Sequence, residues 1–169
     1  MTKYNITSAK QWFEIGGNRV HHTAMVNWEQ LDIGSGNEIG PYVCIGTDAQ
    51  HRTEPSEGTI VIGDNNIIRE YSTINLPTRF SKITSIGSNC YFMALSHIAH
   101  DCVVADNVIF SNNATLEIGR AGTKWVGNPA KMLGMNDVGL QRAGISEEDL
   151  EKEKQYYENI SRRLNSHTS

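Results

Sequence analysis

The sequence predicts an all-β chain folded as a parallel β-helix, and three observations carry that prediction. Large apolar residues recur every six positions: Ile33, Ile39 and Ile45, then Ile62, Ile68 and Ile74, then Ile86, Phe92, Ile98, Val104, Phe110 and Leu116. Glycine follows the marked residue at Ile33, Ile39, Ile45, Ile62 and Ile86. Polar insertions break the period only between arrays that otherwise keep it.

A period of six fits neither a helical stripe, which repeats at about 3.6, nor a continuous strand, which alternates every second residue. It fits short strands joined by tight turns, with one large apolar residue per face pointing inward. Glycine in such turns gives the backbone freedom that other residues lack. Three faces make a coil of about 18 residues, and stacked coils bury their inner faces only against their neighbours.

The chain divides accordingly. Residues 1–19 are expected to cap the open end, with Trp12 and Phe13 covering the first coil. The β-helix is expected over 20–133, with loops ejected at 47–59 and 75–82. Loops carried on a rigid scaffold are the usual place for binding residues. A helical extension is expected over 134–169, started by Ser146 and Asp149 as a capping signal and followed by the stripe Leu150, Tyr157, Ile160 and Leu164.

Composition narrows the function. The 169 residues carry a net charge of −4 and are 38% hydrophobic, which gives no general attraction to nucleic acid. No run approaches the roughly 20 apolar residues of a membrane span. The first residues lack an apolar segment of the secretory type, so a cytoplasmic protein is expected. Cys44, Cys90 and Cys102 are odd in number and form no C-x-x-C pair, so neither a disulfide framework nor a cysteine metal site is expected.

The chemical focus is Ser96-His97-Ile98-Ala99-His100-Asp101-Cys102. Histidine takes and returns a proton near neutral pH. Asp101 follows His100 directly; the two would face opposite ways on a straight strand but not at a corner. An acidic neighbour there would fix the imidazole tautomer. Two surface histidines on a polar face are the competing reading, and a zinc site at His97 and His100 lacks an evident third ligand.

The run His97-Ile98-Ala99-His100-Asp101-Cys102, with Asn112-Asn113-Ala114-Thr115-Leu116, resembles the acyl-carrier-protein-dependent UDP-N-acetylglucosamine O-acyltransferases that open lipid A synthesis. Ile62-Gly63-Asp64-Asn65-Asn66-Ile67-Ile68-Arg69-Glu70 and Gly134-Met135-Asn136 with Gly139-Leu140-Gln141-Arg142 fit the same family. The resemblance implies a left-handed β-helix, a homotrimer with sites in clefts between prisms, and no metal or bound organic cofactor. It implies an acyl-carrier-protein thioester as cosubstrate and a nucleotide sugar as acceptor. His100 becomes the general base, supported by Asp101, with His97 lining the acceptor pocket. The backbone near Ile118 or Gly119 becomes the oxyanion donor. Gln50 and Arg52 fall where the family grips the sugar, Asn75 stands where it has a histidine, and Asn136 and Arg142 would hold the nucleotide.

The chain also departs from the family: it is shorter, with coils expected to be missing before Leu31 and after Leu116. Val138 and Ala143 replace a C-terminal acid and arginine. Val126-Gly127-Asn128-Pro129-Ala130-Lys131 resembles the last coil of coenzyme A-dependent acetyltransferases. Acetyl-coenzyme A-dependent sugar acetylation and a non-catalytic sugar-nucleotide-binding β-helix are therefore the alternatives.

Overall fold

The computed structural model describes residues 11–119, 123–126 and 131–135, and beyond them Ser146, Glu148, Glu151, Lys152 and Gln155. It is the parallel β-helix that the period of six predicts, with the left hand that the family resemblance implies. The first face is built from β2 (Asn18–His21), β5 (Glu38–Ile39), β8 (Ile67–Ile68), β11 (Tyr91–Phe92), β13 (Ile109–Phe110) and β15 (Thr123–Val126), paired in parallel in that order. The second face stacks β3 (Met25–Val26), β6 (Cys44–Thr47), β9 (Thr73–Asn75) and the first residues of β12 (His97–Val104). The third stacks β4 (Leu31–Ile33), β7 (Thr59–Ile62), β10 (Ile83–Ile86) and the end of β12. Above β12, β14 (Thr115–Gly119) pairs with both of its halves, so each of these strands turns a corner of the prism.

The inward columns are the residues that mark the period. Val20, Ile39, Ile68, Phe92 and Phe110 form one; Ile45, Ile74 and Ile98 form the next; Ile62, Ile86 and Val104 form the third, all buried. Phe92 and Phe110 stack with ring centroids 5.0 Å apart. Truncating either to alanine would cost about 3–5 kcal/mol, because a narrow stacked core cannot collapse onto the void.

A polar ladder runs beside this core. Asn18, Asn37 and Asn66 hold the same corner in three successive coils and are at most 1% exposed. The backbone N–H and Nδ2 of Asn37 both donate to Asn18 Oδ1 at 2.9 Å. Asn66 repeats this on Asn37 Oδ1, and Cys90 N–H donates to Asn66 Oδ1 at 2.7 Å. Each Nδ2 also donates to a carbonyl of the next coil, Gly34, Gly63 or Gly87. Every polar atom of the inner asparagines thus has a partner, as burial requires.

Both ends are closed by antiparallel pairs. β1 (Trp12–Ile15) folds back on β2. Trp12 is half-buried under Arg19, whose guanidinium lies 4.2 Å from the ring centroid, whereas Phe13 stays exposed. β16 (Lys131–Met135) folds back on β15.

The first coil is built from β2, β3 and β4. It is hard to see in the sequence because a 3-10 turn at Trp28–Gln30 adds a residue between Val26 and Ile33. A strand of the first face, β15, follows Leu116. The first loop is two residues tighter than expected and the second is one residue tighter, since Thr47, Thr59 and Asn75 are strand residues held by the sheet. Glu148, Glu151, Lys152 and Gln155 are helical, with Lys152 and Glu148 paired at 2.8 Å one turn apart. Asp149 and the stripe Leu150, Tyr157, Ile160 and Leu164 lie outside the described residues.

Candidate active site

The loops 48–58 and 76–82 both leave the prism between its second and third faces, in successive coils. The next coil makes no loop at that corner. It turns instead through Asp101, whose φ is +62°. Non-glycine residues in the left-handed region, uncommon in proteins generally, recur at the corners of this prism, as at Tyr71, Leu95 and Asn107. The reversal swings the Asp101 side chain onto its predecessor, and Asp101 Oδ2 lies 2.8 Å from His100 Nδ1. The corner therefore does what a straight strand would prevent.

The carboxylate is held from below. Thr78 donates its backbone N–H to Asp101 Oδ1 at 2.8 Å and its hydroxyl to Oδ2 at 2.7 Å. Thr84 Oγ1 accepts the Asp101 backbone N–H at 3.1 Å. Burial pushes the Asp101 carboxyl up, but the Thr78 hydroxyl, the His100 ring and the Thr78 N–H together hold it below the usual carboxylate value. An ionised Asp101 can only accept, so His100 donates its Nδ1–H to it and keeps its lone pair on Nε2. The His100 side chain is 25% exposed, enough to be reached by a ligand.

His97, one face earlier, makes a 2.7 Å contact between its Nδ1 and Thr73 Oγ1. Burial, then the neighbouring His100, lower its pKa, so it is neutral at pH 7. His51, in the first loop, sets its ring edge to face with His100, centroids 5.8 Å apart.

The loops brace one another. Arg79 pairs with Glu54 at 2.6 Å and Lys82 with Glu57 at 3.1 Å. Ser56 and Thr78 form an antiparallel bridge, and Glu57 N–H donates to the Pro77 carbonyl. Gly58, at φ +125°, crosses the Lys82 carbonyl where any Cβ would stand.

The residues named from sequence fall in three groups. His97, His100 and Asp101 come together. Gln50 and Arg52 are exposed on the first loop of the same corner. Asn75 is buried beneath it; its Nδ2 donates to Thr47 Oγ1 at 2.9 Å and to the Asp48 carbonyl at 2.6 Å, while its Oδ1 is buried without a partner among the described residues. The backbones of Ile118 and Gly119, on the coil after His100, pair with Val103 and Val104. Asn136 and Arg142 lie outside the described residues. Sequence reasoning missed Thr78, Thr73, Thr84 and His51. The threonines carry no local signal because only coil stacking brings them to the site. Among the described residues, no three of His, Cys, Asp and Glu converge as metal ligands would.

Known proteins resemble this chain. The bacterial transferase hexapeptide (six repeats) family matches residues 83–117, the stretch that contains His97, His100 and Asp101. The acyl-(acyl-carrier-protein)–UDP-N-acetylglucosamine O-acyltransferase of Anaeromyxobacter sp. (strain Fw109-5) is 35% identical over 171 residues, covering 77% of this chain and 66% of that protein. The chain belongs to this acyltransferase family. The enzyme of the same name from Synechocystis sp. (strain ATCC 27184 / PCC 6803 / Kazusa) is 33% identical, with 78% of this chain and 61% of that protein covered. The chain thus spans less than two thirds of the length of these relatives. Among solved structures, LpxA, a UDP-N-acetylglucosamine acyltransferase from Bacteroides fragilis 9343, superposes with TM-score 0.56 at 27% identity, over 83% of this chain and 70% of that one.

One prediction concerns the carboxylate. A carboxyl held below its ordinary value stabilises the fold above about pH 4, and that stabilisation is lost as pH falls through the lower folded value. Thr78→Val removes one bond to Asp101 and raises its pKa. Wild type and variant should then differ in Tm at neutral pH by more than they do in strong acid. A Tm gap constant across pH would contradict the role given to Thr78.

Proposed function

We propose that the chain transfers an acyl group from an acyl-carrier-protein thioester to a hydroxyl of a UDP-sugar such as UDP-N-acetylglucosamine, with His100 as general base. The observation that carries this reading is the chain Thr78–Asp101–His100, which ends at a loop-lined corner in an imidazole Nε2 with no hydrogen bond to a described residue. Family membership supplies the substrate classes, since the curated relatives carry both in their names.

His100 Nε2 takes the proton of the acceptor hydroxyl as its oxygen attacks the thioester carbonyl. Asp101 stabilises the imidazolium that forms. The backbone at Ile118 or Gly119 supports the tetrahedral oxyanion. Collapse breaks the carbon–sulfur bond, and the departing thiolate takes the proton from His100. His97, being neutral, lines the acceptor pocket with Gln50 and Arg52 above the buried Asn75, while Asn136 and Arg142 hold the nucleotide. The reaction needs no metal and no bound organic cofactor. We place it in the cytoplasm, where nucleotide sugars and charged carriers occur; among the described residues, no helix is long and apolar enough to cross a membrane.

A second donor keeps one observation in its favour. The segment from Val126 to Lys131, which resembles the closing coil of coenzyme A-dependent acetyltransferases, joins β15 to β16. The deciding experiment crosses acyl-carrier-protein and coenzyme A donors with several nucleotide sugars. The expected result is acylated UDP-sugar with the carrier donor; product only with acetyl-coenzyme A would move the reading to the acetyltransferases.

The working form is a homotrimer. A slender prism buries a small fraction of its surface, and Tyr42, Tyr71 and Leu95 stand at least half exposed along one corner, above an exposed Met25. Closed rotational association would cover such a ridge. Light scattering should give about three times the 18.8 kDa chain mass; a monomer at micromolar concentration would contradict the shared-cleft site.

A further inference from the structure

A residue in the left-handed region at a corner of the prism must find an acceptor for its backbone N–H. Most find it in the backbone of the coil below. Tyr71 donates to the Pro41 carbonyl at 3.1 Å, Leu95 to the Glu70 carbonyl at 3.1 Å and Asn107 to the Ser88 carbonyl at 2.8 Å. Asn65 and Asn89 do the same. Asp101 is placed differently, because the coil below it gives up this corner to the second loop. The Asp101 N–H donates instead to a side chain, Thr84 Oγ1, at 3.1 Å. A threonine hydroxyl fills the same role at Tyr42, whose N–H donates to Thr23 Oγ1 at 3.0 Å.

Thr84 is out of keeping with its own position. It stands in register with Ile60 on β7, and both side chains are 0% exposed. A hydroxyl in an apolar column costs stability unless it is bonded, and the Asp101 N–H supplies a bond. Two threonines therefore grip Asp101 from different sides. Thr78 holds the carboxylate from the loop, and Thr84 holds the backbone from the core. The first fixes where the charge lies; the second fixes the turn that carries it to His100.

We infer that Thr84 is a positioning residue for the base: its hydroxyl stands in for the carbonyl that the ejected loop removes, and so keeps the Asp101 carboxylate on His100 Nδ1. The effect on turnover rests on the acyltransferase reading; the effect on the His100–Asp101 pair does not. Without the bond the Asp101 peptide turns toward water, and its carboxylate leaves Nδ1. The imidazole then loses its fixed tautomer. Part of the protein carries the proton on Nε2, where the ring cannot take another from the acceptor.

The test uses the full chain with acyl-carrier-protein thioester and UDP-N-acetylglucosamine. Thr84→Val keeps the shape and suits the apolar column, so Tm should stay within a few degrees of wild type. Its kcat should fall about five- to tenfold, the usual worth of one hydrogen bond, with KM for the sugar nearly unchanged. Thr84→Ser keeps the hydroxyl and should recover most of kcat. In an Asp101→Ala background Thr84→Val should cost nothing further, because the two act through one contact. Wild-type kcat in Thr84→Val, a serine variant as impaired as the valine, or additive losses with Asp101→Ala would overturn the assignment. Loss of the fold in Thr84→Val would make the hydroxyl a structural group and overturn it too. A second readout is independent of turnover. Imidazole ¹⁵N shifts of the free protein should report Nδ1–H for His100 in wild type and Thr84→Ser, and a mixture of tautomers in Thr84→Val. An unchanged His100 tautomer in Thr84→Val overturns the inference whatever the substrate. If no nucleotide sugar is acylated, the acyltransferase reading fails, and the tautomer comparison still decides the role of Thr84.

Discussion

His100→Ala will lower kcat by about 10²–10⁴-fold, the usual worth of a positioned general base. Oligomeric state and thermal stability should change little, because the ring projects from the corner and is not part of the apolar core. Asp101→Asn should cost less. It keeps the side chain's size and one acceptor oxygen for Thr78 but loses the charge that stabilises the imidazolium. The order matters as much as the size: the base must be worth more than its support. Steady-state kinetics with acyl-carrier-protein thioester and UDP-N-acetylglucosamine measure both. Near-normal turnover in His100→Ala would show that another group takes the proton.

The second large effect is on stability. The Asn37 side chain makes four hydrogen bonds in the buried ladder: two accepted from Asn66, and two donated to Asn18 Oδ1 and the Gly63 carbonyl. Asn37→Ala strands these partners where water does not reach. Unpaired buried polar groups cost about 1–3 kcal/mol each, so a loss of roughly 3 kcal/mol or more is expected in urea unfolding. The affected coils carry the first loop, so His51 should lose order before His100 does. A loss under about 1 kcal/mol would mean the ladder is incidental to the prism.

Much of this was legible in the sequence, for reasons that differ by residue. Phe92, Ile98, Val104 and Phe110 keep an unbroken period because no loop interrupts their coil, so the fold could be read there directly. Val20 and Val26 fell outside the reading because the turn at Trp28–Gln30 shifts the phase before the pattern has begun. The pair His100–Asp101 was visible as a motif, but its geometry depends on the reversed backbone at Asp101, which adjacency in sequence does not encode. Thr78 and His51 were invisible for a deeper reason. They reach the site only because two loops leave the same corner in successive coils, and that follows from stacking rather than from any local signal. The asparagine ladder is similar: Asn18, Asn37 and Asn66 are separated by unequal intervals, since the first loop lengthens one coil. The left-handed twist came from family resemblance alone, as the period of six is silent on hand.

The most direct test of the account is the structure of the full protein with UDP-N-acetylglucosamine bound. The prediction is that a sugar hydroxyl lies about 2.6–3.2 Å from His100 Nε2, the reach of a general base, with Asp101 still on Nδ1. A nucleotide sugar seated with every hydroxyl well beyond hydrogen-bond reach of His100, and no water between them, would contradict the claim that this imidazole is the base.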